Sequence, residues 1–105
     1  MDNVTGVMSE NNEYELRNFV MNAENPIEDF QRVVFYKMFS DGSYENGTTL
    51  EEMLRVSIER LADLNSRFEC KENIEAINHM KEALFWLNQR TADRQKRGVE
   101  GKHSA

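Results

Sequence analysis

Cys70-Lys71-Glu72-Asn73-Ile74-Glu75-Ala76-Ile77-Asn78-His79-Met80-Lys81-Glu82-Ala83-Leu84-Phe85-Trp86-Leu87-Asn88-Gln89-Arg90-Thr91-Ala92-Asp93-Arg94-Gln95-Lys96-Arg97-Gly98-Val99-Glu100-Gly101 is the stretch whose reading decides the fold. It has no proline and is long enough for about seven helical turns at ~3.6 residues per turn. Ile74, Ile77, Ala83, Leu84 and Leu87 recur at helical spacing and predict an apolar stripe. The stretch holds the chain's one tryptophan, and Gly98 stands where a helix stop is expected.

Immediately upstream, Thr49-Leu50-Glu51-Glu52 fits a capping box. In that motif the Thr49 hydroxyl accepts the Glu52 amide and the Glu52 carboxylate reaches back to the Thr49 amide. Leu50, Leu54, Leu61, Leu64 and Phe68, with Met53 and Ile58 beside them, then predict a helix from Leu50 to about Arg67. Only Arg67-Phe68-Glu69-Cys70 links the two helices, so they must run antiparallel as an α-hairpin.

The N-terminal part is less patterned. Residues 1–12 are polar and expected to be disordered. Tyr14-Glu15-Leu16-Arg17-Asn18-Phe19-Val20 fits either a short strand or one helical turn, and Asn25-Pro26 reads as a turn or as a helix start. Residues 30–39 are dense in β-branched and aromatic side chains, which favours an extended segment around Val33–Met38. Residues 40–47 read as a loop with Asp41-Gly42 and Asn46-Gly47 turn signals. The expected fold is therefore mainly α: an antiparallel two-helix hairpin with an N-terminal extended or short-strand segment, in an oligomer. One domain is expected over 1–105, with 1–12 disordered, 13–48 a variable N-terminal segment and 49–101 the helical hairpin.

At 105 residues, with 39% apolar and 30% charged residues, the chain suits a soluble domain with a modest core. A chain this short buries about 60–70% of its unfolded surface, so a surface shared with a copy of itself would help. No apolar run approaches the ~18 residues of a membrane span, and the first residues lack the pattern of a secretory signal. A cytoplasmic location is the expectation. Cys70 is the sole cysteine, expected as a small semi-buried side chain at a helix start, without a metal or redox partner.

Net charge is −6, with residues 1–69 holding 14 acids and 6 bases (−8) and residues 70–105 holding 5 acids and 7 bases (+2). Such a chain is a poor ligand for duplex nucleic acid, but its C-terminal half has room for a local anion site. There Trp86, Arg90, Arg94 and Arg97 are spaced along one helix face, with Thr91 on the neighbouring edge. Two arginines one turn apart can grip phosphate oxygens, and a flat ring can stack a base. A plain basic helix end, matched to the macrodipole, explains the same residues without a ligand. Glu72 and Asn73 lie about 25 Å from Arg90 at ~1.5 Å per residue, so they share a site with it only across protomers. No Gly-rich phosphate loop, matched nucleophile and base, or Cys/His cluster is visible. Glu72-x-x-Glu75 supplies only half of a magnesium pyrophosphatase pattern, and no enzyme, catalytic residue, metal or cofactor is expected.

Asn46-Gly47-Thr48-Thr49, Arg60-Leu61, Cys70-Lys71-Glu72-Asn73, Ala76-Ile77, residues 81–87 and the tail Arg90-Thr91-Ala92-Asp93-Arg94 through Gly101 resemble small phage proteins of the anti-CBASS/anti-Thoeris hairpin family. The resemblance covers roughly residues 42–101, while residues 1–41 carry no match. It implies a homo-oligomer, often a hexamer, that sequesters cyclic oligonucleotides or cyclic ADP-ribose-type signals in the host cytoplasm without cleaving them. It further implies that Arg90, Arg94 and Asn73 line ligand pockets shared between protomers. Tyr36 and Lys37 are nominated by residue type for the N-terminal contribution. A rival expectation, from the −8 balance of the first 69 residues, is an acidic protein that inhibits a host protein by direct contact.

Overall fold

The computed structural model describes residues 12–22, 24–25 and 29–97. Four short strands precede two long helices: β1 (Glu13–Arg17), β2 (Phe30–Val34), β3 (Lys37–Met38), β4 (Tyr44–Glu45), α1 (Leu50–Arg67) and α2 (Lys71–Lys96). The molecule is mainly helical, with two small antiparallel sheets, β1–β2 and β3–β4.

In the first sheet Glu13 pairs with Val34 and Arg17 with Phe30. The Tyr14 ring meets the Phe35 ring edge-on at 5.6 Å, and Arg32 pairs with Glu13. The two-way reading of residues 14–20 thus resolves to a strand as far as Arg17, where the backbone groups find partners in β2. Asp29, almost fully buried, closes the base of the connecting loop: its carboxylate accepts the Asn22 amide and its carbonyl accepts the Asn18 amide at 2.6 Å. Residues 1–11, Pro26 and Gly98 lie outside the described residues, and with them most of the expected disordered segment, the proline turn and the glycine stop. Asn12, at the end of that segment, is buried. Its carbonyl accepts the Phe35 amide at 2.7 Å, and its amide side chain donates to Glu45 at 3.1 Å.

Residues 40–47 are more ordered than a plain loop. Asp41 accepts both the amide and the hydroxyl of Ser43, at 2.9 and 2.6 Å, and Gly42 takes φ +91°, so the turn folds Tyr44 back onto Met38. Those Ser43 bonds, hydroxyl first, hold the Asp41 carboxyl below its ordinary range. Asn46-Gly47 makes a joint instead of a second turn. Thr48 donates to the Val34 carbonyl at 2.8 Å and accepts from the Tyr36 amide at 2.9 Å, forming a parallel bridge to Phe35. This joint ties the first turn of α1 to the sheets.

α1 occupies the expected span, and α2 begins where expected. Thr49 caps α1 by accepting the Glu52 amide at 3.1 Å. The return half of the capping box is absent, because the Glu52 carboxylate pairs with Arg55. That bond, ahead of the Coulombic attraction of the same guanidinium, holds the Glu52 carboxyl low, and the Arg55 pKa is raised in turn.

The stripes in the seam differ from the expected ones. On α2 the half-buried positions are Asn73, Ile77, Met80, Leu84, Leu87, Thr91 and Arg94, at alternating steps of four and three. Facing them on α1 are Glu51, Leu54, Ile58, Leu61 and Asn65, with Met53 alongside. Leu50, Leu64, Phe68, Ile74 and Ala83, expected inside, are exposed; Phe68 is 80% exposed at the hairpin loop. The sequence stripes were wide enough for two faces, and the partner helix covers one. Cys70 is likewise exposed, since it is the N-cap of α2 at the outer end of the loop.

Candidate functional site

α2 outruns α1 at the open end of the hairpin. Thr91 stands opposite Glu51 in the first turn of α1: the Thr91 hydroxyl donates to the Glu51 carboxylate at 3.0 Å. The turn that follows, with Arg94 and Arg97, therefore projects past the start of α1. Arg90 lies on the exposed side of this end and Arg94 is half-buried at the edge of the seam.

The arginines separate into two groups by what they touch. Arg32, Arg55, Arg67 and Arg97 pair with Glu13, with Glu52 and Glu59, with Asp63 and with Asp93. Arg17, Arg60, Arg90 and Arg94 form no ion pair or side-chain hydrogen bond among the described residues, and of these Arg90 and Arg94 stand one turn apart on the same helix end. A guanidinium presents up to five N–H donors in a planar fork that matches the oxygens of a carboxylate or phosphate. Trp86, one turn before Arg90, is 63% exposed and packs edge-on against Phe85 at 5.2 Å. Phe85 is half-exposed too, so the two rings form an uncovered aromatic edge beside the basic end.

The other nominated residues fall elsewhere. Asn73 is half-buried at the loop end of the seam, four turns and more from Arg90 on the same helix. Thr91 is engaged by Glu51, and Arg97 by Asp93 at 3.0 Å. Lys37 begins β3 and Tyr36 immediately precedes it, and the two side chains find different partners. The Lys37 ammonium lies 5.2 Å from the Phe39 ring, whereas Tyr36 stacks on Tyr44 with ring centroids 5.5 Å apart. Tyr44 was not singled out in the sequence because it sits inside an apparent loop; the Asp41-Gly42 turn was the signal that could have placed it opposite Met38. Glu51 carries no signal of its own in the sequence, where it is one residue of the Thr49–Glu52 capping stretch, and its partner Thr91 lies 40 residues away.

Among the described residues no group of three or more His, Cys, Asp or Glu is placed to hold a metal, and no helix is long and apolar enough to cross a membrane. This end of the hairpin thus places two guanidiniums one turn apart, with two exposed aromatic rings in the turn before them.

Over residues 31–92, more than half of the chain, the sequence matches the family model of the Acb2/Tad1 hairpin domain, and the chain belongs to that family. A curated relative is Thoeris anti-defense 1 of Bacillus phage SBSphiJ7, 51% identical over 59 residues. That match covers 55% of this chain and 42% of the relative, so it spans less than half the relative's length.

Proposed function

We propose that the protein is a phage-encoded sponge that binds cyclic nucleotide immune signals, cyclic oligonucleotides or cyclic ADP-ribose-type molecules, and withholds them in the host cytoplasm without cleaving them. The observation that carries this reading is the pair Arg90 and Arg94, one turn apart at the end of α2 and without carboxylate partners among the described residues. Membership of the Acb2/Tad1 hairpin family and the name of the phage relative support the same direction. Phosphates would be held by the two guanidiniums and a base by the Trp86 edge, with Asn73 and the Tyr36 ring supplied from other protomers.

The pockets close in a homo-oligomer, for which we propose a hexamer. No apolar side chain is buried among the described residues, while Phe19, Phe68, Phe85 and Trp86 are largely exposed. Covering rings of this kind is worth roughly 1.5–3 kcal/mol each, and self-association is the direct way to gain it. Several copies bringing Arg90 and Arg94 together would outweigh the net charge of −6 locally, because screening acts over about 8–10 Å in solution and less in a closed pocket.

Titration with cyclic di- and trinucleotides and cyclic ADP-ribose isomers, followed by heating and recovery of the ligand, tests the reading. Binding with intact ligand returned is expected. No binding across the panel overturns the proposal, and recovery of a cleaved product makes the protein an enzyme. A stoichiometric host protein captured by an apo sample that binds none of these ligands would favour the direct-inhibitor alternative.

A further inference from the structure

The hairpin is closed twice at its loop end and only once at its open end. At the loop end residues 68–70 join the helices covalently, and Asn65 accepts the Cys70 amide at 3.1 Å. Between the ends the seam is apolar, with Leu54, Ile58 and Leu61 against Ile77, Met80, Leu84 and Leu87. Apolar side chains of similar size tolerate sliding and splaying, since dispersion and burial are not directional. At the open end the bond from Thr91 to Glu51 is the one side-chain hydrogen bond between α1 and α2 among the described residues, and it joins positions 40 residues apart. Thr91 stands between the two arginines, one residue after Arg90 and three before Arg94.

We propose that Glu51 and Thr91 form a latch that holds the last turns of α2 against α1, making Glu51 a positioning residue for the Arg90/Arg94 pair. A single polar pair in an apolar helical seam sets register, because any slip leaves the carboxylate half-buried without its donor. Glu51 thereby acts through Thr91 on the height and rotation of the turn that carries both guanidiniums. The latch itself stands on the geometry alone; its bearing on a nucleotide ligand rests on the sponge reading.

Hydrogen exchange of the full chain, followed over residues 88–97 and over 77–84, separates the two. Thr91→Val and Glu51→Ala are expected to speed exchange in 88–97 by about tenfold, the order lost with one hydrogen bond to a charged group, with 77–84 unchanged. Thr91→Ser and Glu51→Gln keep donor and acceptor and are expected to match the wild type. Unchanged exchange in 88–97 for both disabling variants, or an equal rise in both segments, overturns the latch. In the same preparations Thr91→Val should weaken binding of the tightest cyclic nucleotide of the panel about tenfold, with Thr91→Ser restoring it. A loosened helix end with unchanged affinity overturns the positioning role while leaving the sponge intact. A wild type that binds no nucleotide overturns the sponge and that role together, and exchange still decides the latch.

Discussion

At Gly47 the chain runs so close to the first sheet that a β-carbon would sit 2.5 Å from the Val34 carbonyl oxygen and the Phe35 carbonyl carbon, and 2.7 Å from the Tyr36 nitrogen. All three are backbone atoms, which cannot swing aside as a side chain would. Gly47→Ala should therefore break the joint between sheet and α1 and cost about 3 kcal/mol or more, read as a fall in thermal midpoint of more than ~10 °C. Gly42 makes an instructive contrast. Nothing lies within 4 Å of its absent β-carbon, and only its φ of +91° resists a side chain. Gly42→Ala should cost about 1 kcal/mol. Arg90→Ala and Arg94→Ala, which remove no ion pair among the described residues, should leave the thermal midpoint within a few degrees. Calorimetric titration should show each weakening the proposed ligand by about 10–100-fold, as for lost charge-assisted contacts.

At the scale of the element, α1 depends on its first turn. Thr49→Ala removes the hydroxyl that caps the Glu52 amide and should cost ~1 kcal/mol in denaturant unfolding. The same turn predicts an acid response. The Glu52 carboxyl is held low by Arg55, so the folded form binds its proton more weakly than the unfolded chain. The stabilisation is complete above the ordinary glutamate range and is lost as pH falls through the lowered folded value. Asp41, held low by Ser43, acts with the same sign. Both groups are fully exposed, so the loss is small. The thermal midpoint should be flat from pH 7 to 5 and decline below pH ~4, and Arg55→Ala should flatten that decline.

For the whole molecule, the absence of any buried apolar side chain among the described residues leaves the hairpin short of the core that a stable domain of this length needs. Its thermal midpoint is expected to rise with protein concentration, as mass action requires of a folded state that associates. Trp86, the one tryptophan, reports the same event, since its exposed ring should emit further to the red on dilution. A midpoint and an emission maximum that both ignore concentration over a hundredfold range would mark the protein as a monomer.

The sequence by itself determined the two helices, their antiparallel pairing and the start of the first, because each rests on neighbours in the chain: the Thr49 cap, the 3.6-residue period and a link too short for any other return path. The same locality made Arg90 and Arg94 legible as candidates, four residues apart on one helix. Only the tertiary structure decided which of two apolar stripes enters the seam, leaving Phe68 and Ile74 outside and drawing Asn73, Thr91 and Arg94 to its edges. It also decided that Tyr36 belongs with Tyr44 while Lys37 lies over Phe39, and that Glu51 meets Thr91. Helical periodicity specifies an angle around one axis, but a contact between positions 40 residues apart depends on the rotation of both helices at once, and that is set only when they pack.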